Sequence, residues 1–199
     1  MRCVITGIKG LVGSNLASLL KSFYGWDIVG IGSSERDSEG YIKADISNKK
    51  EVISASEKIN GADVVIHCAA IIDNRRDSVK ILSVNHGGTI NALTLAKETG
   101  ASVFINISTI QVIGLIIEKP ITEDHLCSPL TYYHLSKLQA EEAIDLLCPH
   151  NIFSVSLRIP SPVGMNMPMR TILPIFLHQA LNNEQITLTG DKRRRQNFL

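Results

Sequence analysis

Apolar residues along this chain fall into short β-branched runs separated by stretches of helical spacing. Cys3-Val4-Ile5 reads as a first strand ended by Gly7, and Leu11, Val12, Leu16, Leu19 and Leu20 then recur along one helix face. Ile28 to Ile31 is a second strand, Tyr41-Ile42 a short third, and a polar helix runs around Lys49 to Lys58. Val64-Val65-Ile66 is a fourth strand, Ile81 to Glu98 a long helix stopped at Gly100, and Val103 to Ile107 a fifth strand. Tyr132 to Leu147 is a helix halted by Pro149, and Ile152 to Leu157 is the sixth strand. Strands apolar throughout, alternating with helices, predict an α/β fold: a doubly wound parallel sheet covered on both faces. Beyond Arg158 the character changes. Pro160, Pro162, Pro168 and Pro174 crowd a loop and a helix start, and Ile186-Thr187-Leu188 is a lone strand candidate. The pattern places one domain over 1–160 and the start of a smaller lobe over 161–199.

Composition narrows the class. The 199 residues are 44% hydrophobic and 20% charged, as in an ordinary globular chain. Twenty basic against 19 acidic side chains, net +1, give no global attraction for nucleic acid or an anionic membrane. The longest apolar run, Val64 to Ile72, is too short for a membrane span and contains His67. Glycines and Lys9 interrupt the N-terminal stretch, so no signal peptide is expected. Cys3, Cys68, Cys127 and Cys148 form no CxxC pair and read as free thiols of a reducing, cytoplasmic compartment. The six histidines make no metal-binding spacing, so no metal is expected. His67 is expected to be a buried loop-fixing residue, and His134 to face away from its neighbour Tyr133.

The chemistry begins after the first strand. Thr6-Gly7-Ile8-Lys9-Gly10-Leu11-Val12-Gly13 is a GxxGxxG turn opening directly into a helix. Glycines there allow a tight turn and close backbone approach, and the helix N-terminus favours an anion, as a dinucleotide pyrophosphate requires. The second strand ends in Gly32-Ser33-Ser34-Glu35-Arg36, with glycine where an NAD site carries an acidic residue. Ser33, Ser34 and Arg36 favour the 2′-phosphate of NADP; in the plainer reading the loop is solvated and Glu35 holds NAD. Tyr133 and Lys137 stand four apart on one helix face, where a lysine field can ease ionisation of a tyrosine. Tyr132 lacks that partner, since Ser136 is its i+4 neighbour, and is expected to pack or to touch ligand.

These motifs, with Asp45-Ile46, His67-Cys68-Ala69-Ala70, Asn85-x-x-Gly88-Thr89 and Ser108-Thr109, stand in the order and spacing of the extended short-chain dehydrogenase/reductases. The chain most resembles their NAD-dependent epimerase/dehydratase branch, which acts on nucleotide sugars; Pro129, Ser136, Glu141 and Leu157-Arg158-Ile159-Pro160 extend the match. The resemblance implies a Rossmann-type fold. It also implies that Gly7, Lys9, Gly10, Leu11, Val12 and Gly13 meet the cofactor diphosphate, and Asp45 and Ile46 its adenine. Cys68, Ala69, Ala70, Ile107, Ser108 and Pro160 would line the cofactor cleft, with Asn85 buttressing it. Thr109 would hydrogen-bond the reacting sugar oxygen, Tyr133 exchange its proton, and Lys137 hold the ribose and depress the tyrosine pKa. A homodimer through the Ile81–Glu98 and Tyr132–Leu147 helices is implied as well.

Departures refine the expectation. Ile110-Gln111 follow Thr109 where 4,6-dehydratases carry an acidic pair, so elimination of water is not expected. Ile113 replaces a tyrosine and Ser161 an asparagine, pointing to an altered substrate pocket. Asp191-Lys192-Arg193-Arg194-Arg195 resembles the segment that clamps the substrate diphosphate, with Arg195 the candidate. Without interleaved aromatics it does not suggest nucleic acid. Asp73-Asn74-Arg75-Arg76-Asp77 is a second charged cluster, and Glu141, Glu142 and Asp145 read as surface or interface charges. The expected activity is an NAD(P)-dependent nucleotide-sugar epimerase. The alternatives are an NADPH-dependent 4-keto-sugar reductase and, in another class, a silent cofactor-binding sensor or scaffold. Members of the resembled family carry a longer substrate lobe, so the chain is expected to be a fragment.

Overall fold

The computed structural model describes residues 1–34, 36–72, 78–165, 167–169 and 171–188. Glu35, the 73–77 cluster and the 191–195 run with Arg195 lie outside the described residues. The apolar runs become β1 (Arg2–Thr6), β2 (Asp27–Gly32), β3 (Tyr41–Lys43), β4 (Val64–His67), β5 (Val103–Thr109) and β6 (Phe153–Ile159). They form one six-stranded sheet in the order β3-β2-β1-β4-β5-β6, every neighbouring pair parallel. This is a Rossmann-like α/β arrangement. The chain works outward from β1 to β3 and then resumes at β4 on the other side of β1. Loops leaving β1 and β4 therefore diverge and open a crevice at the carboxyl ends of those strands.

Strand alternation divides the core. Cys3, Ile5, Val64 and Ile66 face α1 (Leu11–Tyr24), whose Leu16, Ala17 and Leu20 pack on them. Val4, Val65 and Phe104 face the other way, under α2 (Lys49–Glu57), α4 (Gly88–Glu98) and α5 (Tyr132–Leu147). Boundaries follow local chemistry. Asn48 caps α2 by accepting from the Lys50 amide at 3.1 Å, and Thr131 caps α5 by accepting from the His134 amide at 3.2 Å. The first residue of α5 is thus Tyr132, which sets the phase of Tyr133 and Lys137.

Two expectations are corrected. The helix expected over Ile81–Glu98 is not regular: α3 (Ser78–Leu82) and α4 are joined by a π turn at Ser83–Gly87. Hydrophobic spacing does not register one extra residue per turn, and the cause is Asn85, described below. Ile186-Thr187-Leu188 is not a strand; these residues follow α6 (Ile172–Leu181) without pairing, and Ile186 and Leu188 are exposed. An apolar triplet with no neighbouring strand has nothing to satisfy its backbone as a ladder. Among the described residues, no helix is long and apolar enough to cross a membrane.

Candidate functional site

The crevice is a cleft of about 420 Å³. Thr6, Gly7, Lys9 and Gly10 line it after β1, Gly32, Ser33 and Ser34 after β2, Asp45 and Ile46 after β3, and Cys68, Ala69 and Ala70 after β4. The wall includes Ile71, Lys80 and Val84, which sequence reasoning missed. The 80/84 spacing on a helix was the available signal, but the π turn and the unpaired run before it obscured which face points inward.

Glycine makes the approach possible. Gly7 has φ +66°, and a Cβ there would stand 2.7 Å from the Ala69 N and Cα atoms. A Cβ on Gly13 would lie 2.5 Å from the Gly7 carbonyl oxygen. The β1 loop, the β4 exit and the first turn of α1 thus meet at backbone distance. Gly10 caps α1 with no side-chain bond, and no acidic residue stands in its first turn, so its amide dipoles remain available to an anion. The cleft therefore fits a dinucleotide, in a cradle whose backbone segments close on one another only because Gly7 and Gly13 carry no side chain. Gly7→Ala combines about 1–2 kcal/mol of left-handed backbone strain with about 1–3 kcal/mol of overpacking. A lower melting temperature and loss of cofactor affinity in a fluorescence titration are expected; unchanged affinity would refute the cradle.

Leu11, Val12 and Ile107 line a separate apolar cavity, also about 420 Å³, between α1, β5 and β6, while the Leu11 and Val12 amides belong to the first turn of α1. Alternation explains Ile107, because it shares the α1 face with Ile105. Ser108 faces the other side and is bonded to Glu141, so its hydroxyl is not in the cleft. Arg36 is exposed and outside the lining. Pro160 and Ser161 are half-buried just past the carboxyl end of β6.

Thr109 ends β5 and caps a short 3₁₀ turn, Ile110–Ile113, by accepting from the Gln111 amide at 3.3 Å. Tyr133 and Lys137 lie one turn apart on α5. Burial pushes the Tyr133 phenol up to about 12 and Lys137 down to about 8. The expected depression of the tyrosine is therefore corrected: desolvation disfavours the phenolate here. His134 is corrected too. Its ring meets Tyr133 edge-on at 5.8 Å, and its Nε2 pairs with Gln111 Oε1 at 2.7 Å. Tyr132 is exposed.

Asn85 accounts for the π turn. Its amide accepts from Ile71 N at 2.7 Å, donates to Ile71 O at 2.9 Å and donates to Ser136 Oγ at 2.9 Å. A π turn releases a side chain from regular helical phase. Here that side chain holds the β4 exit against the turn of α5 that carries Lys137. His67 is fully buried. Ala69 N donates to Thr6 Oγ1 at 3.4 Å, and Thr6 Oγ1 shares a hydrogen bond with His67 Nδ1 at 2.7 Å. Among the described residues, His67 Nε2 has no partner. Burial, and secondly the Lys137 charge, hold its pKa down at about 3. Glu142 and Asp145 are exposed, but Glu141 is buried between Ser108 and Arg158, correcting its reading as a surface charge. A carboxylate one turn beyond Lys137 shares that residue's buried face.

Residues 3–199 match the model of the NAD dependent epimerase/dehydratase family. The chain belongs to that family. It is 29% identical over 168 residues to methionine adenosyltransferase 2 subunit beta of Danio rerio, covering 82% of this chain and 48% of that protein. It is 26% identical over 218 residues to the dTDP-D-glucose 4,6-dehydratase of Mus musculus, covering 100% and 61%. The chain thus spans about half of the first relative's length (48%). Among solved structures, UDP-glucuronic acid 4-epimerase from Bacillus cereus, in complex with UDP-glucuronic acid and NAD, superposes with a TM-score of 0.83 at 25% identity, covering 100% of this chain and 68% of that one. The fold is thus the frame this chain shares with the Bacillus cereus epimerase.

Proposed function

We propose that this chain is the cofactor-binding and catalytic part of an NAD(P)-dependent nucleotide-sugar enzyme of the epimerase type. The observation that carries the reading is the glycine cradle at Gly7 and Gly13, at the carboxyl end of the parallel sheet where Thr109 ends β5; α5, with Tyr133 and Lys137, packs on β5. When bound, the dinucleotide supplies a nicotinamide that takes and returns hydride. The chain's own residues do the rest. Gly7, Gly10 and the α1 amides hold the diphosphate. Ser33, Ser34, Asp45 and Ile46 hold the adenosine end. Thr109 orients the sugar oxygen, and Tyr133 exchanges its proton. The Bacillus cereus epimerase supports this substrate class by what it binds.

For the cofactor, NADP is the better fit. A Cβ at Gly32 would stand 2.9 Å from the Tyr41 hydroxyl, so no acidic side chain reaches the ribose from this position. The Lys9 ammonium, 4.6 Å from the centre of the Tyr41 ring, brings positive charge into the cleft. Lys9 rather than Arg36 then recognises the 2′-phosphate. Lys9→Ala is expected to weaken NADPH binding by about tenfold, the worth of a charge-assisted contact, and to leave NADH nearly unaffected. Calorimetric titration with both cofactors checks this, and tighter binding of NAD to the unaltered protein would overturn the assignment.

A 4-keto-sugar reductase is the second reading, favoured by this cationic loop and by a Tyr133 that stays protonated at neutral pH. A nucleotide-sugar panel, with and without NADPH, followed by mass spectrometry of products, separates the readings. Interconversion without net NADPH oxidation supports the epimerase, and stoichiometric oxidation supports the reductase. Loss of water would mean a dehydratase, which the absence of an acidic pair at Ile110-Gln111 opposes. Binding with no turnover would favour the silent cofactor-binding sensor or scaffold.

A further inference from the structure

The proposed reaction leaves one buried carboxylate unused. Glu141 lies one turn beyond Lys137 on α5 and is 7% exposed. Oε1 accepts from the Ser108 hydroxyl, while Oε2 accepts from Arg158 Nε at 3.0 Å and Nη2 at 2.8 Å. Ser108 immediately precedes Thr109 on β5. Arg158, on β6, also donates to the Glu123 carbonyl at 3.5 Å, in the segment that leads into α5. One carboxylate therefore ties together the end of β5, the end of β6 and the helix carrying Tyr133 and Lys137.

We infer that Glu141 is a positioning residue: its carboxylate keeps Lys137 in the ammonium form, and Arg158 moderates how strongly Lys137 feels that charge. Residues four apart on a helix face are neighbours, and a buried pair interacts with little screening. Among the described residues, burial is opposed at Lys137 by Cys68 and by Glu141, of which Glu141 is the carboxylate. From β4 come His67, held neutral down to about pH 3, and Cys68, whose thiol burial pushes up to about 12. From α5 come Tyr133, also near 12, and Glu141 itself; Arg158 stands behind it on β6. Neither Cys68 nor Tyr133 is ionised where Lys137 titrates, near 8. The functional consequence rests on the reading above, in which Lys137 stands one turn from the proton-exchanging Tyr133.

The test follows Lys137 directly, by ¹⁵N NMR titration of its Nζ in the full-length protein, with Lys137→Met identifying the signal. Glu141→Gln is expected to lower its midpoint by about one pH unit, and Arg158→Met to raise it. The double variant should follow Glu141→Gln. Opposite movements support the inference. Movement in the same direction, or none, overturns it and leaves Glu141 a structural tie alone. If Glu141→Gln does not fold, Arg158→Met at the half-exposed partner decides by itself: a raised midpoint supports the inference and an unmoved one refutes it. The titration needs no turnover, so it answers even if the nucleotide-sugar assays find no activity. Where activity is found, the alkaline limb of the pH profile should move with the Lys137 midpoint in each variant.

Discussion

Tyr133→Phe is expected to lower turnover by about 10²–10⁴-fold, the range for loss of a positioned proton donor, while cofactor binding falls far less. The substitution removes one oxygen from a half-buried ring and keeps the edge contact with His134. A phenol pushed up to about 12 is protonated throughout the neutral range, so it is ready to donate to a carbonyl oxygen without a preceding ionisation. In the reductive direction the rate should be flat in pH until Lys137 loses its charge near 8. Stopped-flow absorbance of the reduced cofactor across pH 6–9, in both proteins, measures the effect. Equal rates in both would remove Tyr133 from the chemistry.

The second large effect concerns stability in acid. His67 has an ordinary value of 6.5 and a folded value of about 3, set first by burial and then by Lys137. The unfolded chain therefore binds a proton that the folded one refuses. Stability from the neutral ring is complete above pH 6.5 and is lost as pH falls toward 3, at up to about 1.4 kcal/mol per pH unit. The full loss is on the order of several kcal/mol, a large share of a typical domain's stability. His67→Phe keeps a ring against Phe104, whose centroid lies 6.5 Å away, and removes the titration. Urea midpoints between pH 7 and 4 should decline more gently in that variant. Parallel curves would show that other groups account for the acid sensitivity.

How legible these features were in the sequence depends on which physical signal each one leaves. β1, the glycine turn and α1 were readable because strand, turn and helix chemistry agree over adjacent residues. The same holds for β4, whose apolar run Val64-Val65-Ile66 is unbroken, and for β5, interrupted only by Asn106 between Val103 and Ile107. The phase of a single side chain was less readable. Leu11, Val12 and Ile107 belong to the right segments, yet their side chains face the apolar cavity beneath α1. Glu141 looked like one of several charges on an amphipathic helix; only the pairing of β5 with β6 puts Ser108 and Arg158 beside each other to receive it. The π turn left no hydrophobic signature, since its cause is a set of polar bonds from Asn85 to residues 14 and 51 positions away. The direction of the Tyr133 shift follows from burial, which local spacing does not contain.

The lining of the cleft runs from Thr6 to Val84, whereas Thr109, Tyr133 and Lys137 all come later in the chain. On the proposed roles, cofactor grip and catalytic side chains occupy successive stretches of the chain. A recombination crossover at the turn around Gly100, between α4 and β5, would exchange one member's chemistry for another's and leave cofactor choice behind. Across that joint run the β4–β5 ladder, the Asn85–Ser136 bond and the shared core in which Phe104, Ile144 and Ile152 pack with Val4, Val65 and Leu95. Catalytic diversification on a retained nucleotide grip follows from the order in which this chain is written.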